Sequence, residues 1–155
     1  MAVQTIPAMD YSVDVELTGN AVKVFDAIVK NIPAWWGRME GDCAKVGDEF
    51  TMFFDEETRW KFRVLEHRAP ACLVWECIEA HHIVSGNAEM REDWFGTVLY
   101  WRIVEQGERS VLSFTHKGLS PELKCFTICE RGWNFFLTQS LKDFIETGVG
   151  KPNLR

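Results

Sequence analysis

The feature that most narrows what this chain can fold into is the apolar stripe running through residues 120 to 147. At about 100° per residue, Cys125, Phe126, Cys129, Trp133, Phe136, Leu137, Ser140 and Phe144 fall within roughly a third of a helix circumference, with Lys124, Arg131, Asn134, Thr138 and Lys142 opposite. Ser120 at the N-cap and Pro121 at the first helical position predict the start, and Gly148 predicts the stop. Gly132, beside Trp133, is the odd residue: glycine inside a helix costs about 1 kcal/mol against alanine unless a strand or a ligand must come close. A long helix with this many rings on one side needs an apolar surface to lie on.

The rest of the chain supplies one. Residues 9 to 17 alternate, Tyr11, Val13, Val15 and Leu17 against Ser12, Asp14 and Glu16, which is the period of a half-buried strand. Thr18-Gly19-Asn20 then suits a helix cap, Val22, Phe25, Ala27, Ile28 and Val29 have helical spacing, and Pro33 ends or redirects that helix near Asn31. Segments 48 to 54, 58 to 67, 72 to 82, 93 to 105 and 108 to 117 read as strands, the last two joined as a hairpin through Glu105-Gln106-Gly107-Glu108. Connections this short make an antiparallel meander. Alternation turns Trp60, Phe62 and Val64, then Leu73, Trp75 and Cys77, then Leu99, Trp101 and Ile103, then Leu112, Phe114 and His116 to one face.

The predicted fold class is therefore α+β: a curved antiparallel sheet of about six strands wrapped around a long C-terminal helix, with one or two short helices after the first strand. No repeat or Pro/Gly/Ser-rich linker divides it, so residues 9 to 152 read as one domain, with loose ends at 1 to 8 and 153 to 155. Strands twist, and a curled sheet does not meet a straight helix everywhere, which leaves room for a pocket between them. Seven Trp and eleven Phe suit either such a pocket or a solid aromatic core.

A formal net charge of −6 repels phosphate backbones, so no nucleic-acid partner is expected. No stretch reaches the roughly 20 apolar residues that span a bilayer, and MAVQTIPAMDYS lacks the charged start and apolar run of a signal peptide, so no membrane partner and a cytoplasmic location are expected. Five cysteines, Cys43, Cys72, Cys77, Cys125 and Cys129, then read as reduced thiols. GxGxxG, Walker, HExxH and GxSxG patterns are all missing from the sequence, and neither a cofactor nor a metal is expected.

Residues 96 to 119, GTVLYWRIVEQGERSVLSFTHKGL, are followed by Cys125, Gly132-Trp133, Ser140-Leu141 and a closing TGVGKP, and preceded by Trp35-Trp36 and Val74-Trp75-Glu76. In that order, from Tyr11 to Pro152, the chain resembles the family named for the activators of the heat-shock-protein ATPase. That family is a branch of the START-like or SRPBCC superfamily, with the polyketide cyclases and the pollen-allergen ligand binders. The resemblance implies a helix-grip fold with a cavity between sheet and C-terminal helix, a space that members of the superfamily use for lipids, polyketides, hormones and aromatic compounds. It carries over no catalytic residue.

The ligand-lining candidates are the residues these faces turn inward. They are Trp35 and Trp36 after the first helix; Trp60, Phe62, Trp75, Leu99, Trp101, Phe114 and His116 on the strands; and Cys129, Trp133, Phe136, Leu137 and Ser140 on the long helix. The expected partner is a small apolar or aromatic ligand. The alternatives are a cyclase- or dehydratase-like enzyme, in which His116 with Asp93 or Arg102 moves a proton, and a domain that modulates a chaperone ATPase. The enzyme reading requires those three side chains to converge in the cavity.

Two metal-like patterns have plainer readings. Cys125 and Cys129 share a helix face but are only two ligands, which suits packing, and Cys77 and His81 share a strand face about 13 Å apart, too far for one ion, so His81-His82 reads as a surface pair at a strand end. Ile128 and Phe135, on the polar side of the long helix, suit a weak homodimer.

Overall fold

A computed structural model describes residues 9–55, 57–84 and 86–153. The predicted loose ends at 1 to 8, 154 and 155 lie outside the described residues, whereas Asn153 pairs with Gly37 through a parallel bridge and donates its N–H to the Trp36 carbonyl at 2.8 Å.

The chain starts with strand β1 (Tyr11–Thr18), then helix α1 (Ala21–Lys30), whose first turn is capped by the Asn20 side chain accepting from Lys23 N at 2.9 Å. Val24, Phe25, Ala27 and Ile28 are buried on its inner face, while Val22 points outward. Pro33 redirects the chain as expected, into the single turn α2 (Ile32–Trp35), where its missing N–H is harmless near the helix start.

Strands β2 (Arg38–Gly41), β3 (Glu49–Phe53), β4 (Arg59–Arg68), β5 (Cys72–His81), β6 (Val98–Gln106) and β7 (Arg109–Lys117) follow. All pair antiparallel in one sheet of order β1-β7-β6-β5-β4-β3-β2. The meander and the β6–β7 hairpin are as predicted, with Gly107 supplying the positive φ of the turn. The register sets Leu99 opposite His116, Trp101 opposite Phe114 and Ile103 opposite Leu112, so the proposed inward faces coincide. Irregularities between Lys61 and Phe62 and between Val64 and Glu66 bend β4 and help curl the sheet.

Four expectations are corrected. The sheet has seven strands, because the polar connection 38 to 41 pairs with β3 as an exposed edge strand, and four such residues carry no alternation signal. Residues 93 to 97 are not strand but turns, with Gly96 at φ 80°, and β6 begins at Val98. The long helix begins at Phe126 rather than 120, as α3 (Phe126–Phe135), because the Cys125 N–H is held by the Asp93 carboxylate at 2.9 Å and Ser120 caps only a turn.

Fourth, the rod is not uniformly α-helical. A π-helical stretch, Phe136–Leu141, precedes α4 (Lys142–Thr147), and its wider turn rotates the buried face. Cys125, Cys129, Trp133, Phe136, Leu137 and Ser140 are buried as predicted, but beyond them Leu141 and Ile145 point inward and Phe144 is only half-buried. Gly148, at φ 87°, ends the rod as expected. Among the described residues no helix is long and apolar enough to cross a membrane.

Candidate functional site

Trp133 is the centre of the interface between rod and sheet. Its ring lies 4.4 Å from Phe114, 5.0 Å from Trp36 and 5.7 Å from Trp94 between centroids. Trp101 and Phe114, at 4.6 Å, and Phe50 and Trp75, at 4.8 Å, continue the ring network across the sheet. These rings interlock, so most of the expected cavity is filled by the protein's own side chains.

What remains open is an apolar pocket of about 60 Å³ lined by Trp36, Phe54, Trp60, His82, Trp94, Ile128, Cys129, Gly132, Trp133 and Phe136. Five of the predicted lining residues are there: Trp36, Trp60, Cys129, Trp133 and Phe136. The structure places the others in the solid core. Trp35 is locked by its indole N–H to the Ala27 carbonyl at 2.8 Å, and Ser140 by Oγ donating to the Trp35 carbonyl at 2.6 Å while accepting from Lys151 N at 2.7 Å. Phe62, Trp75, Leu99, Trp101, Phe114 and Leu137 are buried ring and aliphatic packing away from the pocket.

The pocket is also lined by residues outside the predicted lining. Trp94 sits in the turns between β5 and β6, where residues 93 to 97 were read as a strand continuing into β6. Its indole is near-parallel to two others, 4.1 Å and 16° from Trp60 and 5.7 Å and 11° from Trp133. Ile128, read as a subunit contact, lines the mouth. At Gly132 no described strand comes close: a Cβ there would meet nothing within 4 Å among the described residues, so the missing side chain leaves space to the pocket. The signal available beforehand was the unexplained mid-helix glycine.

His116 is fully buried, and its hydrogen bonds fix its state. Thr97 Oγ1 spends its only proton on the Trp94 carbonyl at 2.6 Å, so toward His116 Nε2, 2.8 Å away, it can only accept. Nε2 therefore carries the proton, and Nδ1 accepts from the Trp133 indole N–H at 3.0 Å. Both nitrogens are engaged in a neutral ring, whose pKa burial pushes down to about 3. Asp93 is occupied with the Cys125 N–H, and Arg102 is exposed on the other face of β6. The three groups do not converge, and the proton-transfer arrangement is not assembled. His116 instead ties Trp133 to the Thr97 turn that carries Trp94.

At the pocket's edge His82, Cys125 and Cys129, all buried, bring one imidazole nitrogen and two sulfurs within 4.8 Å of one another. The Cys129 thiol lies 2.8 Å from the Cys125 sulfur, and the Trp94 indole N–H donates to Cys129 Sγ at 3.2 Å. The Cys125 thiol is pushed up, first by its hydrogen bond with Cys129 and then by burial. His81 and Cys77 take no part; Cys77 is buried in the sheet, with its thiol raised by burial to about 12.

No family model matches the chain, and no curated protein matches it. Solved structures do. The Aha1 dimer from Colwellia psychrerythraea superposes with a TM-score of 0.72 at 19% identity, covering 92% of this chain and 99% of that one. DynU16, a protein of the dynemicin biosynthetic locus, gives 0.71 at 15% identity over 93% of this chain, which spans 50% of that protein. An HSP90 activator from Plasmodium falciparum gives 0.64 at 17% identity, covering 91% of this chain and 97% of that one. The architecture is thus the helix-grip fold that Aha1 and DynU16 share, as the motifs in residues 96 to 119 implied, and at these identities the likeness is one of fold.

Proposed function

We propose that the chain binds a small, flat, apolar or aromatic molecule in the slot between Trp60 and Trp133, with Trp94 as the displaceable plug. The observation that carries this reading is the stacking of Trp94: the protein's own indole stacks near-parallel on both Trp60 and Trp133, as a flat ligand would. A resident volume of about 60 Å³ is well below the roughly 300–1,000 Å³ of small-molecule sites. Entry therefore requires Trp94 to leave, and Trp94 lies on turns rather than in a strand or helix. Aromatic walls supply burial, and the pocket offers few polar groups, which favours shape over hydrogen-bond recognition.

The test is a thermal-shift and tryptophan-fluorescence titration against flat bicyclic and tricyclic aromatics, with linear fatty acids as the contrasting set. Flat aromatics should raise the melting temperature by mass action, by about 2.7 kcal/mol of stabilisation at a hundredfold excess over Kd. They should also perturb the indole emission. A Trp94→Ala chain should take up indole itself in the vacated slot. Fatty acids binding while aromatics do not, or no binding by either the wild type or Trp94→Ala, would reject the reading.

A further inference from the structure

Two sequence features that carry nothing separately meet in the folded chain: the Cys125/Cys129 pair at the start of α3 and the second histidine of His81-His82 after β5. We infer that His82, Cys125 and Cys129 form a binding site for one Zn²⁺ ion, with a fourth coordination position open to the aromatic pocket. This inference does not depend on the ligand-binding reading above.

The site is built rather than incidental. His82 is 6% exposed and, among the described residues, its Nδ1 has no hydrogen-bond partner, an arrangement that burial makes costly unless something is bound. Its backbone N–H is fixed to the Arg91 carbonyl at 2.9 Å and its ring packs edge-on to Trp60 at 5.3 Å, while its side chain reaches Cys125. The sulfurs are placed by the first turn of α3, which Asp93 anchors through the Cys125 N–H. The Trp94 N–H on Cys129 Sγ is the kind of outer hydrogen bond that orients a thiolate ligand.

The donor set selects the ion. Two thiolates and an imidazole suit soft or borderline cations, which leaves Zn²⁺ and Cu⁺ as the biological candidates and disfavours Mg²⁺ and Ca²⁺. Binding Zn²⁺ replaces two S–H bonds by two Zn–S bonds and releases two protons, while the imidazole binds neutral. The product has no net charge, whereas Cu⁺ would leave one negative charge in an apolar surrounding. Zn–S bonds of about 2.3 Å and a Zn–N bond of about 2.0–2.1 Å require the sulfurs, now 2.8 Å apart, to separate by about 1 Å. His82 and Cys129 both line the pocket, so the vacant position of a three-ligand zinc faces it.

The experiment titrates the reduced full chain with Zn²⁺ alone against a chromophoric chelator, and with Co²⁺ as a spectroscopic substitute. One ion per chain is expected, with a cobalt spectrum showing two-thiolate charge transfer in the near ultraviolet. His82→Gln, Cys125→Ser and Cys129→Ser should each weaken binding by at least about 100-fold, and Trp94→Phe, which removes the outer donor, by about 10–100-fold. Cys43→Ser and Cys77→Ser should leave it unchanged. The cobalt spectrum reads the ligands in the unmutated chain, so a variant that fails to fold does not spoil the test. The inference is overturned by absence of one-to-one binding, by binding that survives Cys125→Ser or His82→Gln, by uptake of Cu⁺ but not Zn²⁺, or by a Cys125–Cys129 disulfide that forms in air even with Zn²⁺ present.

Discussion

Replacing Gly132 by alanine separates stability from ligand binding, because the two should move in opposite directions. Gly132 lies inside α3, outside the left-handed region, and a Cβ built on it meets no atom of the described residues within 4 Å. Alanine there restricts the unfolded chain and relieves the helix of its least favourable non-proline residue, a gain of about 0.5–1 kcal/mol. For a chain of this size 1 kcal/mol corresponds to about 2–4 °C in melting temperature. The new methyl projects into the pocket of about 60 Å³, which has no slack for it once a ligand is present. Overpacking of this sort costs about 1–3 kcal/mol, which is a weakening of about 5- to 150-fold in Kd. Urea or thermal unfolding gives the first quantity, and a fluorescence titration with the best flat aromatic gives the second. A less stable Gly132→Ala chain would mean that the helix position is tighter than the geometry indicates. Unchanged affinity in a stabilised chain would place the ligand elsewhere and refute the assignment of the slot.

Other perturbations test the supporting parts. His116 stays neutral when folded, with its pKa lowered from 6.5 to about 3, so between those values the unfolded chain binds the extra proton and stability is lost as the pH is lowered, by up to about 1.4 kcal/mol per pH unit; urea denaturation from pH 7 to pH 4 should show a shallower acid loss in His116→Gln, and equal slopes would contradict the buried neutral ring. Ser140→Ala leaves the Trp35 carbonyl and the Lys151 N–H without their partner and should cost about 1–3 kcal/mol in the same assay. Asp93→Ala removes the carboxylate that holds the N–H of Cys125, the residue just before the rod, and should cost about 0.5–2 kcal/mol, with increased amide exchange confined to the first turn of α3; exchange spread over the whole chain would show that Asp93 is not anchoring the helix start.

The element order, the antiparallel meander and the inward faces of β4 to β7 were legible because each rests on a period written into neighbouring residues. Trp60, Phe62 and Val64 alternate whatever lies across from them, and the stripe from Cys125 to Leu137 is a property of one helix. Elsewhere the local pattern is silent or misleading. Strand β2 has four polar-edged residues and no alternation, the π-helical stretch shifts the face to Leu141 and Ile145, and Trp94 sits among turns that its aromatic neighbours disguised as strand. The site was the least legible part. Sequence nominated the rings, but whether they line a cavity or fill it depends on sheet curvature and on how neighbouring rings interlock, which are sums over residues distant in the chain.

By itself, then, the sequence determined which residues are apolar, at what period, and hence that a curled sheet must grip an aromatic helix. Which rings Trp94 stacks on, Trp60 and Trp133, and the approach of His82 to the two sulfurs at the start of α3 were decided only when the separate elements packed. The physical reason is that periodicity is fixed by backbone geometry within a few residues, whereas a ligand set or a pocket wall exists only where packing brings separate elements to one point.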